Sequence, residues 1–230
     1  MIKKVFRFIG KAILYFFAAS IIGVLVFRFI PIPFTSLMII RCAQQKIAGK
    51  EVRMYKKWKS LENISSKLSL AVVASEDQNY LEHDGFDVKA IEDAMKYNER
   101  HKKKKGASTI SQQTAKNVFL WPSRSWVRKG FEVYFTFLIE KLWSKERIME
   151  VYLNVIEMGD GIYGAEAASQ AYFNKSAKNI SASQAALIAA ILPNPVKWKL
   201  SNPPAFIYAK QRWILQQMNN LGGQLEYETK

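Results

Sequence analysis

Leu68-Ser-Leu-Ala-Val-Val-Ala-Ser-Glu-Asp-Gln-Asn-Tyr-Leu-Glu-His-Asp-Gly-Phe-Asp87 starts as an apolar run and turns acidic with no linker between. Charge at the mouth of a buried segment is costly, and desolvation there raises a carboxyl pKa toward that of a proton-transfer group. Glu76, the first acid after the run, is the candidate centre of the chemistry. His83 within the cluster is one of two histidines; no further ligands stand at a metal-binding spacing from it.

The chain around this stretch has 230 residues, enough for one domain with an appendage. Its single cysteine, Cys42, excludes an internal disulfide and a cysteine-based metal site. The formal charge of +15 is unevenly spread: residues 1–60 carry 12 Lys/Arg and one acid, leaving 22 against 18 in the remainder. The excess thus lies beside the most hydrophobic part of the chain, which favours a membrane surface over nucleic acid.

That hydrophobic part is residues 8–30, interrupted only by Gly10, Lys11, Ser20, Gly23 and Arg28. As a helix it would measure about 35 Å, enough for a hydrocarbon core of about 30 Å. Lys11 and Arg28 sit near its ends, where long side chains snorkel. Lys3, Lys4 and Arg7 precede it and place the N-terminus in the cytoplasm, although the basic stretch Lys46–Lys59 opposes that orientation. A cleaved signal peptide is the rival, but no small-x-small site closes the run. The organisation expected is a basic tail at 1–7, a membrane anchor at 8–30, a membrane-proximal segment at 31–60 and a domain at 61–230. Residues 31–60 read either as a linker containing a helix or as a segment resting on anionic lipid.

Helical signals dominate the domain. Ser181-Ala-Ser-Gln184 is a capping box opening a helix over 182–192, stopped by Pro193. Ser144 is the N-cap expected for a helix over 145–154, and Asn202 for a last helix that Gly222-Gly223 closes. No alternation persists long enough to mark a sheet. Gly159-Asp-Gly-Ile-Tyr-Gly164 follows no strand, so it reads as a tight connection between helices and not as a dinucleotide loop. Lys102–Lys105 reads as a solvated loop.

Two further segments carry chemistry. In Gly106–Asn117, Ser108 or Thr109 caps a helix, and Ser108, Gln112 and Lys116 recur at four-residue steps. Such a helix start suits an anion such as phosphate, and equally an ordinary polar face. In Arg128–Trp143 a polar stripe of Arg128, Glu132, Thr136 and Glu140 crosses an otherwise apolar helix. Acids there require a partner or a catalytic task. Arg124, Arg128 and Lys129 would suit a diphosphate. Together these features describe a membrane-anchored, mainly helical domain with two separated carboxylates and a basic-plus-amide surface. That fits sugar chemistry at a membrane, one acid handling a hydroxyl proton and cations holding a phosphate.

Five blocks in order, EDQNYLEHDGFD (76–87), GASTISQQTAKN (106–117), RKGFE (128–132), RIMEVYLN (147–154) and GDGIYGAEAASQAYFNKSA (159–177), resemble the peptidoglycan glycosyltransferase family. The resemblance covers residues 31–223 and points to the family's monofunctional branch, since the chain leaves no room for a transpeptidase domain. It implies a lysozyme-like helical domain behind one transmembrane helix, held on the periplasmic side of the bacterial inner membrane. It also implies polymerisation of lipid II into glycan strands, with lipid II, the lipid-linked strand and the membrane as partners. Cell-wall synthesis or division proteins are further partners it leaves room for, and nucleic acid is not among them. Position by position, Glu76 matches the general base and Glu132 the second essential glutamate, acting on the leaving diphosphate directly or through a divalent cation (magnesium or manganese). No cofactor is otherwise required. Asp77, Ser108, Gln112, Gln113, Lys116, Arg124, Arg128, Lys129 and Asn154 match substrate-contacting or cleft-shaping positions. Tyr80 stands where the family usually has Phe, and Asn174 where Gly is common. The Lys102–Lys105 run falls in a loop the family uses near lipid or diphosphate. A lysozyme-like hydrolase and a non-enzymatic membrane scaffold are the rival readings, because paired carboxylates serve cleavage equally well.

Overall fold

The computed structural model describes residues 2–102 and 104–227. Lys103 of the Lys102–Lys105 run, Met1 of the basic tail and the last three residues of the expected domain lie outside the described residues.

The domain is built around α3 (Ser66–Glu76), whose residues from Leu68 to Ala74 are all buried. A helix buried on every side must be the centre of its layer, and α3 is packed by α9 (Ala182–Ile191) and α10 (Ala205–Asn220). The alanines of α9 allow these helices a close approach. A second layer consists of α5 (Ile110–Phe119), α6 (Trp126–Leu142) and α7 (Lys145–Val155). The smaller helices α4 (Val88–Arg100) and α8 (Ala165–Phe173) flank them.

Most helix boundaries follow local chemistry. Ser181 and Gln184 form the expected capping box, and Ser144 accepts the Arg147 N–H as the cap of α7. Asn174, where glycine was the common residue, closes α8 at φ 50°, a left-handed conformation that asparagine tolerates. Two expectations are corrected. The last helix is capped at Pro204 and not at Asn202, because Pro203 and Pro204 each bias the preceding residue away from helix. Residues 157–163 are also more than a connection. Strands β2 (Glu157–Gly159) and β3 (Ile162–Tyr163) form an antiparallel hairpin, and β1 (Tyr55–Lys56) adds in parallel. Gly161 is required at its turn: φ is +71°, and a Cβ would lie 2.5 Å from the Arg53 carbonyl oxygen.

The segment 31–60 is folded onto the domain. Its helix α2 (Ser36–Ile47) packs on α5, the Ser36 hydroxyl donates to the Leu120 carbonyl, and β1 joins the sheet. Ahead of it, α1 (Ile2–Phe29) starts within the expected basic tail and is long and apolar enough to cross a membrane.

This helix is docked, not merely tethered. The Trp143 indole donates to the Val24 carbonyl at 2.8 Å, and Ser20 Oγ lies 2.6 Å from the Tyr134 hydroxyl. Phe16 packs on Phe131 with ring centroids 5.5 Å apart. Arg147 Nη2 reaches the carbonyls of Phe27 at 2.8 Å and Ile30 at 2.6 Å, at the helix end where carbonyls have no intrahelical donor. The same guanidinium pairs with Glu150, whose other oxygen accepts the Leu61 N–H. Replacing Arg147 with alanine strips these carbonyls and leaves Glu150 without its cation. We expect Arg147→Ala to cost about 1–3 kcal/mol, with Arg147→Lys recovering part, read by thermal unfolding of the full chain in detergent micelles. An unchanged midpoint would contradict the docking.

Candidate active site

Glu76 is the last residue of α3, and Asp77 leaves the helix at φ −161°. The break separates the two carboxylates. Asp77 is buried: its Oδ2 accepts the Ile110 N–H at 2.9 Å, and its Oδ1 lies 2.9 Å from His83 Nε2. The Gly85 N–H donates to His83 Nδ1 at 3.0 Å, so a neutral His83 carries its proton on Nε2 and donates to Asp77. Gly85 has φ +88°, and a Cβ there would meet Thr136 Cγ2 and Glu140 Cγ, each at 2.8 Å. Asp77 therefore joins α3 to the first turn of α5. It also belongs to the lining of the cleft that Glu76 faces.

Glu76 is half-buried and faces a cleft of about 410 Å³ lined by Ser75, Ser108, Lys105 and Trp213, among others. Gln113 Nε2 donates to Glu76 Oε2 at 3.1 Å. The direction of that amide is fixed from behind: the Tyr152 hydroxyl donates to Gln113 Oε1 at 3.3 Å. Burial holds the Tyr152 phenol well above its ordinary pKa, and the carboxylates of Glu76 and Asp77 push it the same way. Tyr152 thus remains a donor, Gln113 presents its NH2 to Glu76 Oε2, and Oε1 accepts from the Ser75 hydroxyl at 3.3 Å.

One turn along α5 the site changes sign. Lys116, Arg124 and Arg128 line a second cleft of about 440 Å³ together with Leu37 and Trp121. Burial lowers the Lys116 ammonium pKa; Glu132 and Glu76 counter this, and Arg128 and Lys129 reinforce it. Lys116 lines the basic cleft, three residues along α5 from the Gln113 that holds Glu76. Glu132 is buried on α6 with one oxygen on Arg128 and the other on Lys129. Arg128 Nε is buried with no acceptor among the described residues. Three cations and an unpaired donor around one cleft are suited to a polyanion.

The remaining expected residues divide. Ser108 is exposed in the acidic cleft and lies outside the helix, which Thr109 caps. Gln112 closes the Thr109 capping box, and its amide oxygen accepts the Thr109 N–H at 3.0 Å. Asn154, 1 % exposed, exchanges hydrogen bonds of 2.8 Å with both backbone groups of Lys59. Both hold the frame and do not face the cleft. Of the lysine run, Lys105 reaches the acidic cleft, and its N–H donates to Asn98 Oδ1 at 2.7 Å. Glu140 is paired with Ser111 and Lys145, which accounts for its burial on α6. Tyr80 uses the hydroxyl that phenylalanine lacks to donate to the Lys145 carbonyl at 2.6 Å. Tyr152 and Trp213 carried no sequence signal, since each reads as an aromatic in a helix.

Comparison with known proteins identifies the family. Residues 44–219 match the family model described as transglycosylase. A biosynthetic peptidoglycan transglycosylase of Bacteroides thetaiotaomicron is 56% identical over 218 residues, covering 95% of this chain and 88% of that protein. Proteins of the same name from Pseudomonas putida (strain GB-1) and Haemophilus influenzae are 49% and 53% identical, covering 97% and 92% of this chain and 94% and 87% of their own lengths.

The Asp77 joint makes a stability prediction. An asparagine there presents a donor to one of two groups that already donate, the Ile110 N–H or His83 Nε2. Asp77→Asn should cost about 1–3 kcal/mol for one unsatisfied buried donor, measured by chemical denaturation. Wild-type stability would show that the joint does not hold α5.

Proposed function

The chain belongs to the transglycosylase family, and from that membership we propose how the two clefts divide the work of the reaction. The protein is a peptidoglycan glycosyltransferase that polymerises lipid II into linear glycan strands by β-1,4 transfer with inversion, releasing undecaprenyl diphosphate. Its substrates are lipid II and the growing lipid-linked strand.

The acceptor sugar lies at Glu76. Its 4-hydroxyl is a poor nucleophile until a base removes the proton as the new bond forms. Glu76 takes that proton, while Gln113 and Tyr152 hold its carboxylate in place. The oxygen attacks the anomeric carbon of the donor, the bond to the diphosphate breaks, and its electron pair leaves with the diphosphate. Lys116, Arg124 and Arg128 receive this charge, and the unpaired Nε of Arg128 provides a donor for a phosphate oxygen. Glu132 orients Arg128 and Lys129 by pairing with both. Surrounded by these cations it is a poor seat for a divalent ion, and no step here passes through one. Direct displacement with no covalent intermediate inverts the donor carbon. The observation that carries this reading is α5, whose Gln113 holds the Glu76 carboxylate and whose Lys116, three residues on, lines the basic cleft.

The anchor helix gives access to a lipid-bound substrate. Lys3, Lys4 and Arg7 at its start support a cytoplasmic N-terminus, and with it a domain on the periplasmic face of the inner membrane. Exposed Val127, Val133 and Phe137 on α6, the helix along which α1 is docked, then lie against lipid.

Glu76→Gln keeps the size of the side chain and the contact to Gln113. It should fold as the wild type yet lose about 10²–10⁴ in turnover when the purified full chain is given lipid II. Substantial residual turnover would refute the base assignment. Given finished glycan in place of lipid II, the wild type should release no fragments; hydrolysis would favour a lytic enzyme. A second test uses pH. Because burial lowers the Lys116 pKa, its charge is lost at a lower pH than that of an ordinary lysine. In Lys116→Arg the cation persists, so the alkaline limb of kcat/KM should move to higher pH. An unmoved limb would remove Lys116 from the charged form the reaction uses.

A further inference from the structure

The last helix, α10, reaches the cleft of Glu76 from a part of the chain outside the five matching blocks. Trp213 lies in the lining of that cleft with Glu76 and Ser108, and 44 % of its surface is exposed. Buried residues on the other side of α10, Ile207, Ile214 and Met218, hold the helix on the domain, so Trp213 does not anchor it. Lys210 stands three residues earlier, on the same side of the helix. Burial lowers the Lys210 ammonium pKa, and the Glu76 carboxylate opposes the shift.

An indole left half-exposed beside a proton acceptor is an unusual use of a large apolar surface. A β-linked hexosamine carries its ring substituents equatorially, which leaves a flat face of C–H bonds. Those hydrogens carry partial positive charge and complement the negative face of an aromatic ring. The acceptor hydroxyl must lie within hydrogen-bond reach of Glu76, which brings its sugar to the wall that Trp213 forms.

We propose that Trp213 is the stacking platform of the acceptor site, binding the face of the acceptor sugar so that its 4-hydroxyl is presented to Glu76. This rests on the assignment of Glu76 as the base. Trp213 contributes to binding of the acceptor and not to the chemical step, so its loss raises the acceptor KM and spares kcat.

The test uses the full chain in detergent, with lipid II whose own 4-hydroxyl is blocked as donor at a fixed saturating concentration. The varied acceptor is a disaccharide whose diphosphate is replaced by a group that cannot leave. Trp213→Leu keeps apolar volume and loses the flat ring; Trp213→Phe keeps a flat ring. Stacking predicts an acceptor KM about 10-fold higher for Trp213→Leu, near wild type for Trp213→Phe, and an unchanged kcat for both. An unchanged KM in Trp213→Leu overturns the proposal, as does a fall in kcat alone. If Trp213→Leu does not fold, acceptor-dependent fluorescence decides the matter. A quench in the wild type that is missing from Trp213→Phe supports the platform, and identical responses overturn it. Failure of the wild type to polymerise lipid II would instead contradict the assigned reaction, so the two failures are distinguishable.

Discussion

The pair of hydrogen bonds made by Asp77 is the constraint on which the site depends. Its carboxylate accepts from the first N–H of α5 and from His83, so the end of α3, the following loop and the start of α5 meet at one buried group. A charged acceptor at a helix N-terminus gains from the helix dipole as well as from the bond. The consequence is positional. With α5 fixed at its start, Gln113 falls beside Glu76 and Lys116 falls one turn further, toward Glu132. Sign reversal within one turn of a helix is what a displacement needs when a proton leaves one reactant and a diphosphate leaves the other.

A second constraint is the docking of α1. Carbonyls at Val24, Phe27 and Ile30 accept from Trp143 and Arg147, side chains at the end of α6 and the start of α7. The anchor is thereby tied to the helix carrying Glu132 and its cations. A hinged tether would let the clefts tumble relative to the lipid surface. A docked helix instead holds the domain in one orientation relative to the helix that is long and apolar enough to cross a membrane.

Much of this was legible in the sequence, because it depends on local chemistry. Ser144, Ser181 and Gln184 cap helices within three residues of themselves. The apolar run ending in Glu76 marked a buried segment with a carboxylate at its mouth. What was missed depends on contacts across the chain. Strands of two or three residues are too short to show alternation, so the hairpin was hidden. Asp77, Gln112 and Asn154 stand in functional blocks but bind backbone, a distinction that only the fold makes. Tyr152 and Trp213 were silent because an aromatic in a helix is usually core. Their roles come from where α7 and α10 pack.

The central claim is direct displacement, with base and leaving-group cations on opposite sides of one anomeric carbon. The stereochemistry of the bond formed tests it most directly. Purified full-length chain would be given α-linked lipid II in detergent and the new linkage assigned by NMR. The account predicts a β-1,4 bond throughout the polymer. An α linkage would require a second displacement through a covalent intermediate, and would contradict it.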